Sequence, residues 1–322
     1  MQKKITIVLF LLFPFLVLGQ YQGMKRIKQG GFYSPKVRKT KEWVFGFGAS
    51  NFLGELGGAN QIGTNFVKDF EFSMTRPSAQ VAFRYKFKKR WAVKTGLYWQ
   101  MVSGADRLTI EEYRHNRNLS FRSNIYELSS QAEFFFTKEQ VGRRYKIKNA
   151  KGIKNFKLQG YLFLGFGGFF YNPKTKYDGK WVALQPLHTE GQGLPGGAKP
   201  YSRFSFCIPY GIGFKNALSS EWTVGFEAGI RKTFTDYIDD VSTVYYDNNA
   251  ILAAKGQMAA DLADPSLYDL PGHNVDQVAF GSNKQTGTGQ QRGDKKNLDT
   301  YMFVNITCSY IIPFRTQTRS KF

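Results

Sequence analysis

At 322 residues the chain can bury a sizeable core, and it combines 16% aromatic residues and 33 glycines with a mean hydropathy of −0.38 and a formal charge of +21. Two cysteines exclude a disulfide scaffold. Beyond the first 19 residues no apolar run reaches the ~20 residues that a membrane helix requires.

The chain opens with Lys3 and Lys4, an apolar stretch from Ile5 to Leu18, and a small-residue exit at Val17-Leu18-Gly19 before Gln20. That order predicts a secretory signal peptide over 1–19, cleaved near Gly19. No cysteine lies near the cleavage point, so no lipoprotein anchor is expected. Residues 20–42 hold seven bases (Lys25 to Lys41) and one acid, Glu42, around Gly30, Gly31 and Pro35. Without periodicity, this stretch reads as a basic arm.

Eight alternating runs follow. Successive side chains of a strand point to opposite faces, so each run separates into two parities. Over about 43–51, Trp43, Phe45 and Phe47 oppose Gly46, Gly48 and Ser50. Over about 78–88, Val81, Phe83 and Tyr85 oppose Gln80, Arg84 and Lys86. Over about 91–102, Val93, Leu97 and Trp99 oppose Lys94, Gly96 and Gln100. Over about 122–137, Tyr126, Leu128 and Phe134 oppose Glu127, Gln131 and Glu133. The run at about 157–171 is apolar on both parities and broken by Gly165, Gly167 and Gly168, which leaves its facing open. Over about 202–216, Phe204, Phe206, Ile208 and Phe214 oppose Ser205, Cys207 and Gly213. Over about 221–234, Trp222, Phe226 and Ile230 oppose Thr223, Glu227 and Arg231. Over 301–314, Met302, Val304, Ile306 and Tyr310 oppose Asn305, Thr307 and Ser309. Cys207 and Cys308 fall on opposite faces and are expected to be free.

Eight is the smallest even strand number of bacterial outer-membrane barrels, and alternating aromatic-rich strands are their signature. The connections 52–77, 103–121, 172–201 and 235–299 are long and lie at one end. Those at the other end are short, except 138–156. Short periplasmic turns and long external loops are the asymmetry of such barrels, and a β-sandwich has no reason for it. The expected fold is therefore all-β: an eight-stranded antiparallel transmembrane barrel over 43–314, with a basic tail at 315–322. An interior that narrow is filled by side chains. Its polar parities supply Arg84, Lys94 and Arg231 with Glu127, Glu133 and Glu227, expected to pair as a closed polar core.

With this topology, 23 bases and three acids, a balance of +20, fall on the short-turn side, while loop 235–299 carries ten Asp and five bases. Lys138, Arg143, Arg144, Lys146, Lys148, Lys151 and Lys154 concentrate that charge in one turn. Such a face attracts acidic surfaces. The expected partners are outer-membrane lipid around the barrel and, on the basic face, an acidic periplasmic protein or peptidoglycan. Nucleic acid is excluded by compartment.

His115, His188 and His273 sit in three different loops without ligand spacing, so neither an enzyme nor a cofactor is expected. Asp236, Asp239 and Asp240 form an acidic cluster, expected at the external rim and without a metal ion. Residues 249–263 predict a short helix stopped by Pro265, as part of an ordered cap; 281–298 reads as mobile.

Two stretches carry a resemblance. Gly48-Ala49-Ser50-Asn51-Phe52-Leu53-Gly54-Glu55-Leu56-Gly57-Gly58 leaves the first strand. Thr233-Phe234-Thr235-Asp236-Tyr237-Ile238-Asp239-Asp240-Val241-Ser242 leaves the seventh, and Gln291-Arg292-Gly293-Asp294 precedes the eighth. Together they resemble a family of Bacteroidota outer-membrane barrels of largely unknown function, itself similar to the type IX secretion barrel called PorG. The resemblance implies a barrel associated with a large periplasmic ring of the secretion apparatus, and it brings no catalytic residues. The reading that results is a non-enzymatic outer-membrane barrel that docks or anchors a periplasmic assembly. Its alternatives are a stand-alone barrel whose loop 235–299 binds surface ligands, and a narrow channel.

Overall fold

A computed structural model describes residues 40–56, 72–109, 112–137, 158–218, 221–267, 286–295 and 297–312. Residues 1–19, expected to be a signal peptide, residues 20–39 of the expected arm, the basic turn 138–157 and residues 313–322 lie outside the described residues.

Nine strands run in chain order: β1 Thr40–Leu53, β2 Arg76–Lys86, β3 Trp91–Ala105, β4 Ser120–Phe135, β5 Leu158–Tyr177, β6 Lys180–Ala183, β7 Phe204–Ala217, β8 Trp222–Thr233 and β9 Thr300–Ile311. Their order in the sheet is β4-β3-β2-β1-β9-β8-β7-β5-β6, and β4 also pairs with β5. That last pairing closes eight long antiparallel strands into a barrel. The ninth strand, β6, is a four-residue flap on the loop end of β5. Closure between first and last strands is in register over twelve residues, from Glu42 opposite Ile311 to Leu53 opposite Thr300. Closing the ring leaves no sheet edge unpaired among the long strands.

The parities sort as an inside-out protein. Phe47, Leu97, Leu128, Leu164, Phe226 and Ile306 are exposed on the outer wall, whereas Arg84, Lys94, Glu127, Glu133, Glu227 and Arg231 are buried inside. A soluble sandwich would place the apolar parity between its sheets. An apolar band wrapped around a polar, side-chain-filled interior is the arrangement a barrel needs in lipid. β5, ambiguous by sequence, turns its even residues outward: Leu158, Leu162, Leu164, Phe166 and Phe170 are exposed and Tyr161, Phe163 and Phe169 buried. Cys207 is buried inside, Cys308 exposed outside, and both are free.

Two short connections are tight. Phe87 N–H donates to the Trp91 carbonyl at 3.2 Å, and Leu218 N–H to the Trp222 carbonyl at 2.9 Å. The long loops all leave the opposite end. Among the described residues they carry three α-helices: α1 Glu112–Arg117, α2 Asn248–Lys255 and α3 Gln257–Ala263. The single helix expected over 249–263 is two, because Gly256 adopts φ +87°, a conformation L side chains rarely take. Asp247 caps α2 by accepting from Asn249 N–H.

Candidate functional site: a plugged lumen beneath an acidic cap

The lumen charges meet near the short-turn half of the barrel. Arg84 contacts Glu133 through Nε at 2.6 Å and Glu42 through Nη1 at 3.0 Å. Lys94 Nζ lies 2.6 Å from Glu227 and 3.5 Å from Glu133. Tyr161 O–H donates to Glu227 at 2.8 Å and accepts from Arg84 at 3.1 Å. One step toward the loops, Arg231 pairs with Glu127 at 3.0 Å and stands over the Phe303 ring at 4.2 Å. All six residues singled out by parity are thus brought into paired contacts inside the wall. Buried ions survive in such a place only when paired and hydrogen-bonded.

Three further residues belong here. Glu42 is read from sequence as the acid of the arm, while Lys86, on the polar parity of its run, and Lys215 are also among the 23 bases of the short-turn side. Lys215 Nζ sits 2.9 Å from Glu42, and Lys86 Nζ 4.7 Å from the centre of the Phe135 ring. β1 begins at Thr40, which puts Glu42 on the inward parity of a strand. Without these three, the short-turn side has 21 bases and two acids by sequence.

At the other end the loops form a cap whose core is continuous with the apolar side chains Val102, Ile125, Phe169 and Tyr301 inside the barrel mouth. Ile251 of α2 and Ala259, Leu262 and Ala263 of α3 pack with Leu119, Phe121, Leu184, Leu187 and Ile238. The polar part of the cap is knitted by three carboxylates and two guanidiniums. Glu190 accepts from Ser242 N–H at 2.9 Å, Thr243 Oγ1 at 2.7 Å and Arg292 Nη1 at 3.0 Å. Arg117 grips Asp106 with Nε and Nη2 at 2.7 and 3.0 Å and donates from Nη1 to the Arg292 carbonyl at 2.6 Å. Glu55 accepts from the Asp294 amide.

The stretches that carried the resemblance therefore meet in space. Gly293 lies against both of the others: a Cβ there would stand 2.6 Å from Ser242 N and 2.8 Å from Glu55 Oε2. Arg292 Nη1 donates to the Asp240 carbonyl at 2.7 Å. Residues 286–295, expected to be mobile, are held by Tyr245 N–H to the Gln290 carbonyl at 2.9 Å and Arg292 N–H to Thr243 at 2.9 Å.

Asp236, Asp239 and Asp240 are not a solvated rim; they are 5, 1 and 1% exposed. Burial pushes Asp236 up to about 8 and Glu55 up to about 7. Burial also raises Asp240 to about 6, against the Arg292 charge and hydrogen bonds from Thr189 and Tyr201. Asp239 and Asp299 are raised well above the ordinary carboxylate range by burial, then by neighbouring carboxylates, Asp299 acting on Asp239 and Asp236 on Asp299. The cap is a buried cluster in which burial favours the protonated form of these carboxylates. Among the described residues no group of three or more His, Cys, Asp or Glu is arranged to hold a metal ion. His115 is exposed on α1, His188 follows β6 in a left-handed conformation, and His273 lies outside the described residues. The seven turn bases Lys138, Arg143, Arg144, Lys146, Lys148, Lys151 and Lys154 lie there too.

Residues 36–255 match a family described as "Domain of unknown function (DUF6089)". No curated protein matches the chain. Among solved structures it is similar to Ail, the attachment invasion locus protein of Yersinia pestis, in complex with the heparin analogue sucrose octasulfate (7% identity, 85% of this chain and 99% of that one, TM-score 0.36). It is similar to Neisserial surface protein A (7% identity, 84% and 96%, TM-score 0.38). A third is the outer membrane protein OprG from Pseudomonas aeruginosa (9% identity, 86% and 99%, TM-score 0.36).

Proposed function

We propose, from its membership of the DUF6089 family of unknown function and from the architecture above, that this chain is a non-enzymatic outer-membrane barrel that docks a periplasmic assembly. The observation that carries the reading is where the charge is left once the lumen is filled. Of the five interior bases among the described residues, Arg84, Lys94, Lys215 and Arg231 pair with the four interior acids. The excess of 21 bases over two acids falls by sequence on the short-turn side, the periplasmic side of a barrel of this type. A one-signed surface of that size speeds and orients encounter with an acidic partner. The partner class is an acidic periplasmic protein, and peptidoglycan is the competing outcome. The likeness of the loop-exit stretches to barrels similar to PorG makes the ring of type IX protein secretion the first assembly to examine.

A plugged lumen under a packed cap speaks against the channel reading. The loop-ligand reading is weakened where loop 235–299 spends its polar groups on cap contacts. The test replaces Lys138, Arg143, Arg144, Lys146, Lys148, Lys151 and Lys154 by Gln and compares periplasmic proteins retained by the purified barrel at low and high salt. The reading predicts retention of an acidic protein that is lost in the variant and at high salt. An unchanged set of partners overturns it.

A further inference from the structure

The loop ends of β4 and β5 change chemistry on their outward parity. Outward cross-strand partners run Leu128–Gly168, Tyr126–Phe170, Asn124–Asn172 and Arg122–Lys174. From the middle of the wall to its rim, the ladder passes from apolar through aromatic and amide to two cations. Lys176 continues the same parity, opposite Trp181 of β6. The Arg122 guanidinium lies 3.7 Å from the Trp181 ring centre, and the Lys176 ammonium 5.6 Å from it. Arg203 stands over outward-facing Phe170 at 5.4 Å. Among the described residues none of these four bases forms an ion pair with an acidic side chain.

Four residues of strand rise about 13 Å along its axis, and at a tilt of 35–45° that is about 10 Å of height. Tyr126 and Phe170 sit where aromatic side chains mark the hydrocarbon boundary. The Arg122 and Lys174 backbones then stand at the outer margin of the headgroup layer, which extends about 5–8 Å beyond it, within reach of its phosphates for side chains of that length. Trp181 fixes the arginine by a cation–π contact, leaving the guanidinium fork free to grip a phosphate.

We propose that Arg122, Lys174 and Lys176, on the Trp181 platform, form a binding site for phosphate-bearing lipid headgroups in the leaflet that faces the long loops. The site rests on the membrane-spanning barrel alone and not on periplasmic docking. Bases near an anionic lipid surface contribute roughly five-fold in affinity each.

The experiment is native mass spectrometry of the detergent-purified full chain with bis-phosphorylated lipid A, phosphatidylcholine, or inorganic phosphate as competitor. The wild type is expected to retain lipid A over phosphatidylcholine. Arg122→Gln/Lys174→Gln/Lys176→Gln should weaken retention at least ten-fold. The charge-matched control Lys199→Gln/Lys255→Gln/Lys295→Gln should retain lipid A as the wild type does. Arg122→Gln alone, should the triple variant not fold, is expected to weaken it several-fold. Equal retention by the site variants, equal loss in the control, or full displacement by equimolar inorganic phosphate overturns the proposal.

Discussion

Lys94 and Glu227 are both fully buried and lie 2.6 Å apart, with Glu133 at 3.5 Å from the same ammonium. Removing one member leaves a charge in a low-dielectric interior, at a cost of about 3–5 kcal/mol. Glu227→Ala is therefore expected to lower the unfolding free energy of the barrel, measured by urea titration in micelles, by that amount. Lys94→Met/Glu227→Leu, which removes both charges and fills the volume, should recover most of the loss. Equal destabilisation by the two variants would contradict pairing as the reason for the cost. This network was largely legible in the sequence, because a period of two sorts Arg84, Lys94, Glu127, Glu133, Glu227 and Arg231 onto inward parities without knowledge of the fold. Glu42 was not, because it precedes the run expected at about 43–51, whereas β1 begins at Thr40 and carries it on the inward parity. Lys86 and Lys215 share the inward parity of their runs, but their place beside the basic turns makes them read equally as rim charges.

At the scale of elements, the cap is pH-sensitive by construction. Glu55, Asp236, Asp239 and Asp299 face one another from three loop segments, with Arg117 and Arg292 as the nearby cations. An acid whose folded pKa is raised keeps its proton after the unfolded chain has released it. The cap therefore has its full stability below about pH 4, the ordinary carboxylate range. That stability is lost as pH rises through about 7 for Glu55 and about 8 for Asp236. Hydrogen exchange of residues 236–243 and 290–295, corrected for intrinsic rates, should show protection at pH 5 that falls by pH 8.5. Protection unchanged across this window would rule the account out.

Two glycines separate conformational strain from crowding in the same element. Gly256 has φ +87° and ψ 177°, a region essentially restricted to glycine, with nothing within 4 Å of an added Cβ, so Gly256→Ala is expected to cost about 1–3 kcal/mol of cap stability through backbone strain alone. Gly293→Ala must displace backbone at Ser242 and should cost about 1–3 kcal/mol. Exchange rates of residues 242–243 distinguish them, rising for Gly293→Ala alone. Little of this cap could be read from sequence, since Glu55, Glu190 and Arg292 come together only through loop packing. The β6 flap did leave a signal. Asp178-Gly179, both at positive φ, is the two-residue turn that joins a hairpin, set between Lys174–Tyr177 and Lys180–Ala183.

For the whole molecule, the interior is plugged and the exterior apolar, so what varies over its surface is charge. Arg84, Lys94, Lys215, Glu42, Glu133 and Glu227 fill the lower lumen, and the cap covers the other end. Reconstituted in planar bilayers, the full chain is expected to give no steady conductance; stable open steps would revive the channel reading. Among the described residues the lumen holds five bases and four acids, so all but one of the net charge of +21 lies outside it. The most direct test of docking is photo-crosslinking in living cells from a reactive residue placed at position 146 or 148, within the basic turn. The account predicts capture of an acidic periplasmic protein, and loss of that product when the surrounding bases are changed to Gln. Capture of peptidoglycan alone, or the same products from the neutralised turn, would contradict it.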